Sequence, residues 1–121
     1  MASIKRFEEL ECWRSARMLT KEIYLISNKG KLSKDFEIKN QLRSAALSLM
    51  NNIAEGFGRY SDKEFIRFLN VAQSSGLEVQ SMLYLVEDLH YLNQDELESL
   101  RKEVDKTISL TLGLLRYINN K

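Results

Sequence analysis

The sequence predicts an all-α protein, an up-down-up-down antiparallel four-helix bundle forming a single domain over residues 1–121. Three observations carry the prediction. Proline is absent from the chain, so nothing forces a break in a long helix. Apolar residues recur at three- and four-residue steps in four segments, near 8–28, 34–57, 62–89 and 94–119. The connections between them are short, which makes successive helices antiparallel neighbours.

In the first helix, Leu10, Trp13, Ala16, Ile23 and Tyr24 recur near helical spacing, and the turn from Asn28 to Lys31 ends it, with Gly30 as the expected αL residue. Ser33 is the expected N-cap of the second helix, whose Asp35 and Glu37 suit the positive end of its dipole. Its apolar residues, from Ile38 through Leu42, Leu49 and Ile53 to Phe57, spread over an arc of about 200°, wider than one core-facing stripe needs. Gly56 and Gly58 can supply the positive φ that stops this helix, and Ser61 with Glu64 three residues on reads as a capping box opening the third. The third helix presents Phe65, Phe68, Leu69, Ala72, Val79, Leu83 and Val86 to the core, with a second, thinner apolar stripe of Ile66, Leu77 and Tyr84 pointing elsewhere. Its small segment Ser74-Ser75-Gly76 admits close approach of another helix, and Gly113 is placed to act similarly in the fourth. Asn93 with Glu96 forms the box that opens that fourth helix.

The extra apolar surface on neighbouring helices predicts self-association through an interface that includes Ile66, Leu77 and Tyr84. The opposite side of the second helix reads Asn40, Gln41, Ser44, Ser48, Asn51, Asn52 and Glu55, where a solvated helix usually carries Lys and Glu. Such short neutral groups suit a specific, partly polar contact.

Charge gives no global case for nucleic acid, since the formal net charge is +1. It is unevenly placed. Residues 1–60 carry 11 Lys and Arg against 7 Asp and Glu, a balance of +4, and residues 61–121 carry 7 against 10, a balance of −3. The densest basic cluster is Lys29, Lys31, Lys34, Lys39 and Arg43 at the first inter-helix turn, a local +3 once Asp35 and Glu37 are subtracted. One cysteine excludes an internal disulfide and fits a reducing cytoplasm. Neither an apolar leader nor a membrane-spanning run is expected.

No phosphate-binding loop, dinucleotide fingerprint or nucleophile elbow occurs in the sequence. Glu87-Asp88-Leu89-His90 holds one Glu-x-x-His, whereas di-iron bundles need two with two further glutamates, so no metal or cofactor is expected. Cys12 reads as packed rather than reactive. The one notable constellation is polar and clusters around the central hairpin: Asn52, Glu55, Arg59, Glu64, Arg67 and Glu78, spaced to form ion pairs that fix the hairpin or a subunit contact.

Over nearly its whole length the chain resembles the four-helix-bundle proteins encoded in intervening sequences of bacterial large-subunit ribosomal RNA genes. Phe7-Glu8-Glu9-Leu10-Glu11-Cys12-Trp13, Gln41-Leu42-Arg43-Ser44-Ala45-Ala46, Asn52-Ile53-Ala54-Glu55-Gly56 with Arg59, and Asp62-Lys63-Glu64-Phe65-Ile66-Arg67-Phe68-Leu69 followed by Ala72 and Glu78 carry that resemblance. The family commonly has a proline just before the position of Asn52; this chain has Leu49-Met50-Asn51, so a straighter second helix is expected. The resemblance implies a homo-oligomer, a pentameric ring of bundles, and no enzymatic activity. It also reaches the accessory proteins of diversity-generating retroelements, which are similar in fold, more basic, and work with a reverse transcriptase and nucleic acid. The expected function is therefore a non-enzymatic cytoplasmic scaffold with no membrane partner, which binds RNA or a nucleic-acid-handling protein; for RNA, the five basic residues above are the phosphate contacts. The alternative is a small-molecule or metal-binding protein with its site between helices or subunits, for which Glu55, Glu64, Glu78 and His90 are the residues to test.

Overall fold

Residues 4–121 are described in a computed structural model, so the first three residues of the expected 1–121 domain lie outside the described residues. Four α-helices follow one another: α1 Glu11–Ile26, α2 Phe36–Phe57, α3 Asp62–Asp88 and α4 Gln94–Asn119. Each packs on two neighbours, α1 and α3 both lying against α2 and α4, which is the expected square bundle. Cross-helix bonds run antiparallel throughout: Glu22 and Ser15 of α1 meet Ser99 and Glu103 of α4, and Gln73, Gln80 and Glu87 of α3 meet Ile108, Asp105 and Arg101. The core is aliphatic, with Leu19, Ile23, Leu42, Leu49, Ile53, Leu69, Val79, Leu83 and Leu100 each fully buried. Every residue assigned to the core face of α3 from its spacing is buried there.

The first helix is shorter than its periodicity suggests. The Glu9 carboxylate accepts from the backbone N–H groups of Lys5 and Arg6, at 3.0 and 2.9 Å, and winds Phe7–Glu9 into a 3₁₀ turn. Leu10 is extended (φ −72°, ψ 125°), which drops its side chain into the core before α1 begins. At the other end Gly30 does adopt positive φ, but at φ 63°, ψ −156° it lies outside the αL region, in conformational space that essentially only glycine reaches. It leads into an unanticipated 3₁₀ turn, Lys31–Lys34, which buries Leu32 completely. Ser33 is therefore not the cap of α2. Its hydroxyl donates to the Gly30 carbonyl at 2.6 Å, and Asp35 caps the helix by accepting from the Ile38 N–H at 3.2 Å.

The glycines of the central hairpin act differently from expectation. Neither Gly56 nor Gly58 has positive φ; Gly58 caps α2 at φ −74°. Gly56 instead faces α3, where a Cβ would lie 2.7 Å from the Phe68 Cβ. The wide apolar arc of α2 is likewise largely consumed within the chain, because α2 packs on both α1 and α3, and α2 runs unbroken through Leu49-Met50-Asn51. Ser61 caps α3 through the Glu64 N–H at 3.1 Å, but the Glu64 carboxylate turns to Arg67 and leaves the box half-formed. Asn93 and Glu96 complete theirs in both directions, at 2.8 and 3.1 Å.

The stop signal for α3 was not legible in the sequence. His90 takes φ 56°, its N–H donates to the Glu87 carbonyl at 3.0 Å, and the Tyr91 N–H donates to the Val86 carbonyl at 3.1 Å. This is a Schellman ending with histidine where glycine is usual. A left-handed backbone costs a side-chain-bearing residue about 1 kcal/mol or more. His90→Gly is thus expected to raise stability by about 1 kcal/mol in denaturant titration, whereas His90→Val, whose branched side chain tolerates this conformation least, lowers it.

Candidate functional site

Three surfaces can be built up from the fold. The first is the basic turn at the α1–α2 end. Arg43 reaches back from α2 to close off α1: its Nε donates to Ser27 Oγ and its Nη2 to Asn28 Oδ1, both at 2.8 Å, with the guanidinium 4.4 Å from the Tyr24 ring centroid. Lys29 crosses to α4 and pairs with Glu96 at 2.7 Å. The Lys39 ammonium lies 5.8 Å from the Phe36 ring centroid. Lys31 and Lys34 stand exposed on the 3₁₀ turn. Of the five basic candidates, two are thus engaged in holding helices together and two project into solvent.

The Lys29 ammonium, with a lesser contribution from the Asn93 backbone N–H, holds the Glu96 carboxyl below its ordinary range. A lowered folded-state value means that the pair stabilises the protein above the unfolded carboxylate value and loses that effect as pH falls through the folded one. Lys29→Met is expected to reduce the loss of thermal midpoint between neutral pH and the carboxylate range, and to leave the profile at higher pH parallel to that of the parent. The Arg101 guanidinium does the same for Glu87, which it meets at 2.8 Å.

The second surface is the polar side of the central hairpin. It proves to be a seam between α2 and α3. Gln41 donates to the Glu78 carboxylate at 2.9 Å, Ser48 and Ser75 share a hydroxyl bond of 2.7 Å, and Asn52 donates to the Ser48 carbonyl at 2.8 Å. Glu64 and Arg67 form their two-pronged pair at 3.1 and 3.2 Å. Among the described residues Glu55 and Arg59 do not pair. Arg59 and Arg67 both stack on Phe68, at 4.8 and 4.6 Å from its ring centroid, and Glu55 is exposed. Part of the neutral polar face of α2 is therefore spent inside the chain, and Asn40, Ser44 and Asn51 remain outside.

The third surface is apolar. Leu77 and Tyr84 are 58% and 65% exposed on α3, while Ile66 is only half-buried and packs against the core. Arg101 sits over Tyr84 at 4.9 Å. Leu112 of α4 is exposed on the α3 flank beside Ile108, whose side chain fills the space left by Gly76. The small segment of α3 thus receives the chain's own α4, whereas Gly113 faces open space. Sequence reasoning missed Met18 and Leu25, which are 59% and 60% exposed on α1. The available signal was that both fall outside the apolar face of α1 and lie seven residues apart.

Helix geometry separates Glu64 from His90 by about 39 Å along α3, so the four residues of the small-molecule or metal alternative do not converge within one chain. Among the described residues no three His, Cys, Asp or Glu groups are arranged to hold a metal ion. Open grooves of about 340 and 500 Å³ run between α1 and α4 and along α4, and neither is lined by those four residues. Cys12 is buried, and burial pushes its thiol up to about 11, which keeps it protonated at neutral pH. Among the described residues no helix is long and apolar enough to cross a membrane.

Fold and surfaces together define an antiparallel four-helix bundle whose open faces carry aligned polar and apolar stripes. A family model described as "23S rRNA-intervening sequence protein" matches residues 8–113, and the chain belongs to that family. Among solved structures it is similar in fold to a protein of unknown function from the S23 ribosomal protein family of Bacteroides thetaiotaomicron. The TM-score is 0.78 at 20% identity, and the match covers 86% of this chain and 97% of that one. No curated protein matches the chain.

Proposed function

We propose that the chain is a non-enzymatic, homo-oligomeric helical scaffold, a ring of five bundles whose assembled surface presents Lys31 and Lys34 to RNA. The observation that carries the oligomer is the exposure of Leu77 and Tyr84, two turns apart on one face of α3, with Leu112 exposed on the adjoining flank of α4. Aligned apolar groups on neighbouring helices are the surface that an assembly covers. The groups best able to do chemistry are already occupied: Cys12 is buried and protonated, Glu64 and Glu87 are held in ion pairs, and Glu78 accepts from Gln41.

The RNA reading has narrower support than the basic cluster first suggested, because Lys29 and Arg43 are engaged within the chain. Repetition around a ring turns two exposed lysines per subunit into a continuous cationic band. Sedimentation at micromolar concentration tests the assembly; a species of monomer mass overturns it. Retention of RNA that does not weaken with salt, or that is unchanged in Lys31→Glu/Lys34→Glu, overturns the RNA contact.

A further inference from the structure

Residues 17–43 run from α1 through the first turn into α2. They carry seven Lys and Arg against three Asp and Glu, a balance of +4 in a chain whose net charge is +1. Lys29 is neutralised by Glu96 of α4, which leaves +3. All three acids turn away from the groove between α1 and α2. Glu22 accepts from Ser99 of α4, and Asp35 accepts from the Tyr91 hydroxyl beyond α3. Glu37 falls on the α3 flank of α2, roughly 120° or more round the helix from Lys39 and Arg43.

The bases gather on the opposite side. The Thr20 hydroxyl donates to the Ala46 carbonyl at 3.2 Å, which sets one flank of α1 against α2, and at 100° per residue Trp13, Arg17 and Tyr24 share that flank. Lys21 adjoins Arg17 one turn on and is exposed. Among the described residues no Lys or Arg of α1 or α2 is in an ion pair. Instead Arg17 lies over Trp13 at 5.6 Å, Arg43 over Tyr24 at 4.4 Å and Lys39 over Phe36 at 5.8 Å. The hydrogen bonds of Arg43 all go to neutral acceptors, so its charge is uncompensated. Phe36 stands two residues after Lys34 and is 67% exposed, so the core does not account for it.

We infer that the α1–α2 groove is the track of a single-stranded RNA, whose phosphates meet Arg17, Lys21 and Lys39 and one of whose bases stacks on Phe36. The inference rests on the RNA reading; it adds the form of the RNA and extends its path from Lys31 and Lys34 along α1. The exposed ring decides the form. In an A-form duplex the bases are stacked on one another and the major groove is too narrow for side chains, whereas unpaired bases stack on aromatic rings and guanidinium planes. An acidic chain satisfies the bases of the groove but offers no flat group to Phe36.

Fluorescence anisotropy tests this with a labelled, unpaired RNA oligonucleotide, the same oligonucleotide annealed to its complement, and polyglutamate. Phe36→Ala is expected to weaken unpaired RNA by about tenfold without changing the salt dependence, and Phe36→Tyr, which keeps the ring, to bind like the parent. Arg17→Gln/Lys21→Gln is expected to lower the slope of log affinity against log salt by about 1.4. Circular dichroism checks that each variant keeps its helices. A parent that binds neither form of RNA overturns the RNA reading and the track with it. Binding that is lost in Lys31→Glu/Lys34→Glu but unchanged in Phe36→Ala and in Arg17→Gln/Lys21→Gln overturns the track and leaves that reading standing. Tighter binding of the duplex or of polyglutamate than of unpaired RNA overturns the single-stranded occupant.

Discussion

Replacing Gly56 by alanine lowers stability by about 2 kcal/mol, while the same replacement at Gly113 raises it by about 1 kcal/mol, although both glycines lie inside helices. The added methyl group is the same; what it meets differs. At Gly56 it falls 2.7 Å from the Phe68 Cβ and 3.0 Å from Phe65 Cδ1. A Cβ cannot rotate away from its own backbone, so α2 and α3 must separate, loosening the edge-on Phe57–Phe65 contact at 6.0 Å. The cost of overpacking exceeds the helix propensity gained. At Gly113 nothing lies within 4 Å and only the propensity gain remains. Gly76 is intermediate: its nearest neighbour is Ile108 Cγ1 at 2.8 Å, a side-chain atom that shifts more easily than a Cβ, so Gly76→Ala stays within about 1 kcal/mol of the parent. Urea titration of the three variants measures the order; equal effects at Gly56 and Gly113 would contradict the close approach of α2 to α3.

Leu32→Ala is expected to cost about 3 kcal/mol, as much as truncating a leucine in mid-helix. Leu32 belongs to a short 3₁₀ turn between exposed Lys31 and half-buried Ser33, yet its side chain is fully buried and plugs the end of the bundle where α1 gives way to α2. Truncation there leaves a void lined by helix ends already fixed by the Arg43 and Asp35 bonds, so little collapse can fill it. Phe36, a larger apolar residue four positions on, is 67% exposed, and Phe36→Ala changes stability by no more than about 0.5 kcal/mol. Thermal or urea unfolding of the two variants reads the difference. A small effect at Leu32 would show that the turn is not part of the core.

The bundle itself was legible because its signals repeat. Each helix shows its buried face several times over, and the caps at Ser61 and Asn93 fall where side-chain chemistry requires them. The boundaries were less legible wherever two local solutions competed. Ser33 and Asp35 are both good caps, and the choice fell to Asp35, which also accepts from the Tyr91 hydroxyl at 2.8 Å, a partner 56 residues away. Gly56 and Gly58 suggested a left-handed stop, whereas the only non-glycine positive φ among the described residues is at His90, a residue type that enters this region more often than most but far less readily than glycine. The basic cluster was legible as composition but not as geometry, since spacing could not reveal that Arg43 spends its donors on Ser27 and Asn28. The stripe on α3 was visible because its residues align outside a well-defined core face; Met18 and Leu25 align outside the apolar face of α1 in the same way, so their spacing carried a signal that was missed.

Wiring each helix to the next one along the chain has a kinetic consequence. Three of the four helix–helix contacts join consecutive helices, and the closure of α1 against α4 joins the two that are most distant in sequence. Chains with such local wiring reach the native state in microseconds to milliseconds. With no prolyl bond anywhere in the sequence, no isomerisation step delays them. Renaturation of a single subunit should therefore be a one-exponential event, completed well before two copies can meet at dilute concentration.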